Sequence, residues 1–489
     1  MLKIALVLVA LLVLPLVRAY AAPISVHPAN PHYFLFNGRP TILVTSAEHY
    51  GAVVNKDFDY VAYLDALKSF GLNYTRIYPG FLIEPYGKFL PGNTLGARPD
   101  AVILPWARSS QPGYSQGGNR FDLDRWDAEY FKRYRDFLAK AAERGVVVEI
   151  CMFNCQYDDT WPLCPLYFKN NIQGVGNCRH QDAQTLRHKD LVKRIDDYVV
   201  KLTEEANTFD NVILEICDEP NLNGTPVPEA GQWIDHVFDV IRSTEAKLPK
   251  KHLVGQQVVG PVGGPCDFSA SPKNDIIITQ YVNEAGGQQL GGMRALDLKY
   301  AVGKPIEINE TNYYPIWYAG DRLAASRAEG WEFIVGGGAG FNHLNGLFTA
   351  RDPAGKTAEN ARLLGALRNL MDFMASFEFI KMSQDKKFVA RGIPSGVFSR
   401  AVSEPGRQYA LYLHHSTAKN EAYTAVPGKY TIDLVVNLPA GTYKADWVDP
   451  ASGSVVRTDR VADHAGGERT LRTPEHTVDI ALRVKREEK

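Results

Sequence analysis

The 489-residue sequence lacks the marks of several protein classes. It has no basic run outside its extreme tail, and its formal net charge is -1, from 54 Lys and Arg against 55 Asp and Glu. Binding a polyanion requires a basic stripe or patch, so no nucleic-acid partner is expected. Cysteine is scarce, six in all, and no paired C-x-x-C knuckles stand with matching histidines. That argues against a structural zinc site, and no metal or cofactor is expected. Past the first twenty residues no stretch is long and apolar enough to cross a bilayer.

The N-terminus is the exception. Lys3 precedes an apolar run from Ile4 to Val17, and Ala19-Tyr20-Ala21 follows as a small-x-small cleavage pattern. This is the form of a secretory signal peptide over residues 1–21. The expected location is therefore secreted or periplasmic, with no membrane association after cleavage. An oxidising compartment permits disulfides. Cys155, Cys164 and Cys178 crowd one polar segment, where one bridge pinning a long loop is expected. Cys151 and Cys217 lie in strand-like runs and read as buried thiols.

What is present is a rhythm. Eight β-branched runs occur: RPTILVTS, LNYTRIY, GVVVEICMF, NVILEICDEP, KHLVGQQVV, NDIIITQYV, KPIEINET and EFIVGGGAGF. Between them lie stretches with apolar residues every three or four positions, the period of a helix. Such alternation predicts an α/β fold with a parallel sheet, and eight repeats predict a closed (β/α)8 TIM barrel over residues 22–377. Two long segments, 84–126 and 154–185, follow the second and third runs and fall on the rim where such barrels place their sites. From residue 378 to 489 short alternating runs separated by Pro-Gly and Ser-Gly turns predict a small antiparallel β-sandwich.

Two carboxylates stand out. Run four ends in Glu215-Ile216-Cys217-Asp218-Glu219 and run seven in Glu307-Ile308-Asn309-Glu310. Carboxylates at the ends of two barrel strands suit double displacement at a sugar, one acting as acid and the other as nucleophile. Strand alternation puts Glu215, Cys217 and Glu219 on one face with Asp218 away from them. It likewise groups Ile306, Ile308 and Glu310, with Glu307 opposite. Glu219 and Glu310 are the expected pair. Glu215 is expected to be a buried charge needing a partner, and Arg76 is the candidate, either for it or for bracing the nucleophile.

EICDEPN resembles the E-I/L-x-N-E-P signature of glycoside hydrolase clan A, which includes the cellulase-like family 5 enzymes. GLNYTRIY resembles that clan's G-x-N-x-x-R segment, and KPIEINET its nucleophile segment. The C-terminal runs resemble the small sandwich, of putative collagen-binding-domain type, attached to such barrels. The resemblance implies a retaining β-glycosidase, with Glu219 as acid/base, Glu310 as nucleophile, Arg76 as its support and Tyr281 as its hydrogen-bond partner. Asp218 departs from the clan's Asn, which donates to the sugar 2-hydroxyl; an ionised Asp only accepts. That departure opens an alternative, a carbohydrate-binding barrel with impaired catalysis.

Further contacts to a carbohydrate are expected from Glu48 and His49 after run one, and from Asn342 and His343 on run eight. Trp161, Tyr313 and Trp317 are candidate stacking platforms, since apolar sugar faces pack on aromatic rings.

Overall fold

The computed structural model describes residues 22–89, 92–257, 266–280, 291–311, 313, 318–419 and 422–487. Eight parallel strands form one sheet: β1 (Leu43–Ala47), β2 (Tyr74–Ile77), β3 (Val147–Asn154), β4 (Val212–Asp218), β5 (Leu253–Gln257), β6 (Ile276–Thr279), β7 (Ile306–Ile308) and β8 (Gly340–Leu344). Neighbours run in the order β1-β8-β7-β6-β5-β4-β3-β2, each strand beside its sequence neighbour. All eight are buried throughout, as strands covered by helices on one side and a packed lumen on the other must be. The seam between β1 and β2 is joined by a side chain. Asn73 donates from Nδ2 to Ile42 O at 2.9 Å and accepts from Val44 N at 3.0 Å.

The helices are α1 (Tyr60–Ser69), α2 (Ala128–Ala142), α3 (Lys189–Ala206), α4 (Val227–Glu245), α5 (Gly291–Lys299), α6 (Arg322–Val335) and α7 (Ala358–Ala375). Asp59 and Asp127 cap α1 and α2 by accepting from free first-turn amides, as N-cap carboxylates do. The eighth run is read differently by the chain than by its composition. Glu332 to Val335 close α6, and the strand begins only at Gly340. The glycines between them make the reversal: Gly337 has φ 99°, and a Cβ on Gly338 would lie 2.3 Å from the Phe333 ring.

The segment after β2 is not all loop, since Trp106–Pro112 and Asn119–Trp126 pair as an antiparallel ribbon. The expected bridge in the segment after β3 is not formed, and all six cysteines are free thiols. Amide side chains hold that segment instead. Asn170 Nδ2 donates to the Pro162 and Cys164 carbonyls at 2.8 Å, and Asn171 Nδ2 to those of Pro165, Tyr167 and Val175 at 3.0–3.1 Å.

After α7 the chain builds two antiparallel sheets. The first contains β9 (Ser383–Gln384), β11 (Val397–Glu404), β12 (Gln408–Lys419), β13 (Ala422–Ala425), β15 (Gly441–Val448), β16 (Val455–His464) and β18 (Asp479–Arg486). The second contains β10 (Val389–Arg391), β14 (Asp433–Leu438) and β17 (Gly467–Arg472). Leu411, Leu434, Val436, Tyr443, Trp447 and Leu482 fill the space between them. The sandwich is fastened to α6. Arg327 pairs with Asp479 through two bonds of 2.8 and 3.0 Å, and Glu332 accepts from His414 at 3.0 Å and Arg400 at 3.1 Å.

Candidate active site

The C-terminal ends of the barrel strands surround a cavity of about 360 Å³, at the lower end of the range for small-molecule sites. Glu219 and Glu310 both line it, with Asp218, Asn154, His49, Tyr50, Tyr78, Glu84 and Tyr157. The geometry around strand four differs from simple alternation. Both Glu215 and Asp218 touch Arg76, so Asp218 faces the lumen and not away from it. The cause lies at Cys217. Its N–H donates to Gln256 Oε1 at 3.2 Å and its C=O accepts from Gln256 Nε2 at 2.8 Å, so a side-chain amide takes over from the β5 ladder there. Glu219 then adopts φ 50°, with its N–H bonded to Gln257 Oε1. A left-handed non-glycine residue costs about 1–3 kcal/mol and clusters at sites that use it. Tyr50, on the opposite wall, has φ 58°.

On strand seven the expected faces are likewise exchanged. Glu307 is buried close enough to Glu149 and Glu215 to feel their charges, while Ile308 faces α5, where a Cβ on Gly292 would meet its side chain. Regular strand ends at Ile308, which frees Glu310 to turn into the cavity.

Arg76 organises the floor. It contacts Glu149 at 3.2 Å, Glu215 at 2.6 Å, Asp218 at 3.1 Å and Glu310 at 3.3 Å. Its guanidinium lies over the rings of Tyr50 (4.9 Å) and Tyr78 (5.3 Å). Asn309 donates to Glu149 and Glu215, both at 3.0 Å. Burial pushes the carboxyls of Glu149 and Glu307 up to about 7 and raises Glu215 well above the usual range. Glu310 is also raised well above that range, first by burial and then by the charges of Asp218 and Glu219, with Arg76 opposing. Tyr157 donates its hydroxyl to Glu219.

His49 accompanies Glu84 at 3.0 Å. Burial opposes its charge, but Glu84 overrides this and its pKa is raised. Glu48, by contrast, folds its own loop, accepting from Gly51 N, Ala52 N and Thr94 Oγ1. Several other expected contacts serve the scaffold. Trp161 is buried in its loop, donating to Cys178 O at 3.0 Å. Tyr313 accepts from Tyr423 N at 3.1 Å, against the sandwich. Asn342 accepts from Ala47 N and donates to Tyr50 Oη and Asn309 O. His343 meets Ser46 Oγ at 3.0 Å, its pKa held down to about 3 chiefly by burial. None of these five is among the residues lining the cavity. Tyr281 and Trp317 lie outside the described residues.

Tyr78, Glu84, Asn154 and Tyr157 also line the cavity, beyond the residues expected from sequence. Tyr78 had a signal, two places beyond Arg76 and so on its face. Tyr157 had none, standing in a loop whose path only the fold defines. Among the described residues no cluster of three or more His, Cys, Asp or Glu has the geometry to hold a metal ion.

No protein-family model matches the sequence, and no curated protein does. Solved structures do match in shape. A glycoside hydrolase superimposes with a TM-score of 0.61 at 13% identity, over 96% of this chain and 98% of that one. A glycoside hydrolase family 5 structure from Bacteroides vulgatus superimposes with a TM-score of 0.60 at 13% identity, over 95% and 93%. The chain therefore has, over barrel and sandwich together, the fold of these glycoside hydrolases.

Proposed function

We propose that this chain is an exported glycoside hydrolase that cleaves a β-linked oligo- or polysaccharide with retention of configuration. The observation that carries the reading is one cavity lined by Glu219 and Glu310 from strands four and seven, with Arg76 on Glu310 and Tyr157 on Glu219. Glu310 attacks the anomeric carbon while Glu219 gives its proton to the departing glycosidic oxygen. A glycosyl ester forms as the glycosidic C–O bond breaks. Water then attacks the same carbon, its proton passes to Glu219, and Glu310 leaves as carboxylate. Arg76 opposes the burial and repulsion that raise the Glu310 carboxyl's pKa, and so favours its ionised form. As positive charge develops on the sugar, the ionised nucleophile gains further. The apolar leader, Ile4 to Val17, supports export.

The test is incubation of the purified protein with a panel of β-linked oligosaccharides and plant polysaccharides beside Glu310→Ala. Sugar release by the wild type, at least about 1000-fold slower in Glu310→Ala, is expected. The first-formed anomer, read by NMR, reports retention. No release from any member of the panel sinks the reading.

A further inference from the structure

We propose that His415 and His476, in the C-terminal sandwich, form a binding site for a divalent transition-metal ion of the imidazole-preferring kind, copper or zinc. Neither residue lines the barrel cavity, and the site stands apart from the hydrolase reading.

The Nε2 atoms of the two rings face each other at 3.2 Å. Imidazole nitrogens bound to one zinc ion at about 2.0–2.1 Å and at a tetrahedral angle lie about 3.3 Å apart. The pair already has the separation of two ligands of a single ion.

Each ring is also oriented by a partner other than its opposite. His476 Nδ1 meets the Pro474 carbonyl at 3.0 Å. A carbonyl only accepts, so Nδ1 carries the hydrogen and Nε2 of the neutral ring carries a lone pair. Metal-bound histidines are held in the same way, the second ring nitrogen donating to a carbonyl or carboxylate. The His415 ring is stacked on Tyr430, with centroids 3.5 Å apart and planes within 6°. The backbone beneath is tied. His415 N donates to Val478 O at 2.8 Å, and Tyr430 and His476 exchange N–H···O bonds of 3.0 and 3.1 Å.

The single hydrogen between the two Nε2 atoms belongs to His415, since the one on His476 is engaged at Pro474. When an ion takes its place, that hydrogen moves to Nδ1 of the His415 ring, and both imidazoles stay neutral. The two residues are 8% and 7% exposed, and Glu475 and Thr477 on either side of His476 are exposed, so the pair lies just beneath the sandwich surface. No third His, Cys, Asp or Glu completes a cluster among the described residues, so water fills the remaining positions. Two nitrogen ligands suit copper and zinc, copper more tightly, and do not suit magnesium or calcium, which take oxygen. The bound ion joins β12 to the segment leading into β18.

The experiment uses the full protein without an affinity tag, treated with chelator and dialysed. Zn²⁺ is titrated by calorimetry, and one equivalent of Cu²⁺ is added for electron paramagnetic resonance. One ion per chain is expected, with copper coupled to two nitrogens and a thermal melt that moves upward with Zn²⁺. Mg²⁺ should give neither heat nor shift. His415→Gln and His476→Gln should each weaken binding by more than about 100-fold, since losing only an outer partner of a ligand costs 10–100-fold. His464→Gln, at the end of β16, should leave it unchanged. The wild-type copper spectrum requires no variant to fold. A wild type that takes up no ion at millimolar Zn²⁺, a copper spectrum without two nitrogens, or binding retained in either of the first two variants overturns the proposal.

Discussion

Two buried charged networks in this molecule follow opposite rules. At the barrel–sandwich junction carboxylates sit on cations, Asp479 on Arg327, and Glu332 and Asp297 on Arg400, with His414 also on Glu332. Glu332 is there held below the usual carboxylate range, its partners outweighing its burial. In the barrel lumen Arg76 faces Glu149, Glu215, Asp218 and Glu310 together, and Glu307 lies beside them. Four of those carboxyls, Glu149, Glu215, Glu307 and Glu310, are raised above the usual range by burial and by one another. The paired network joins two parts; the crowded one gathers carboxyls around a single cation at the site proposed for the reaction. The contrast separates fastening from chemistry without reference to any relative.

The largest effect is expected from Arg76→Met. It strands buried carboxylates without their cation, and breaking such a pair costs about 3–5 kcal/mol. Urea unfolding at pH 7 measures the loss, and sugar release falls with it. An unchanged midpoint would mean the lumen carboxyls are already neutral and the networks less different than drawn. Arg327→Leu strands Asp479 at the junction and also costs about 3 kcal/mol, but kcat/KM of the folded protein stays within about two-fold of wild type. A specific loss of kcat/KM would erase the distinction between fastening and chemistry.

The pH responses have opposite signs. Glu307 has its folded pKa raised from an ordinary 4.5 to about 7, so the native state holds a proton the unfolded chain has lost. That group's contribution is full below about 4.5 and falls as pH rises to about 7. Glu307→Gln keeps a neutral group and removes this penalty. It should raise stability at pH 8 by on the order of 3 kcal/mol, from about 1.4 kcal/mol per unit, and leave it nearly unchanged at pH 4.5. Glu332 has the reverse sign. Its contribution is present above its ordinary range and lost as pH falls through its lowered value, so acid loosens the junction first. Thermal melts of wild type and Glu307→Gln between pH 4 and 8 decide this, and parallel curves would count against it. The smallest effect concerns the loop after β3. Cys178→Ser changes stability by less than about 0.5 kcal/mol, since no bridge is lost, whereas Asn171→Ala costs about 1–3 kcal/mol by stranding the Pro165 and Val175 carbonyls. Reducing agent leaves the wild-type melt unmoved.

The barrel was legible because strands covered on both sides read as short apolar runs, as in Ile276-Ile277-Ile278, and because the stretches between them repeat apolar residues every three or four positions. EFIV misled, since a short β-branched run suits a buried helix end as well as a strand, and the deciding steric facts at Gly337 and Gly338 are tertiary. The residues at 219 and 310 were legible as strand-end carboxylates. Their facing was not, because alternation assumes a ladder, and at Cys217 the ladder yields to the Gln256 side chain. Trp161 and Tyr313 were chosen for their chemistry, and the fold uses that chemistry for packing. Asn154 and Tyr157 matter because of Asp218 and Glu219, some sixty residues away, a relation that residue type does not encode.

The Asn73 clasp carries one more consequence. A closed ring opens where its bonding is sparse, and β1 and β2 are joined there by the Asn73 side chain and one backbone bond, from Asn73 N–H to Val44 O at 3.3 Å, in place of a strand ladder. Backbone amides along those two strands are expected to exchange with deuterated solvent ahead of those between β3 and β4, which makes this seam the hinge line along which the barrel breathes.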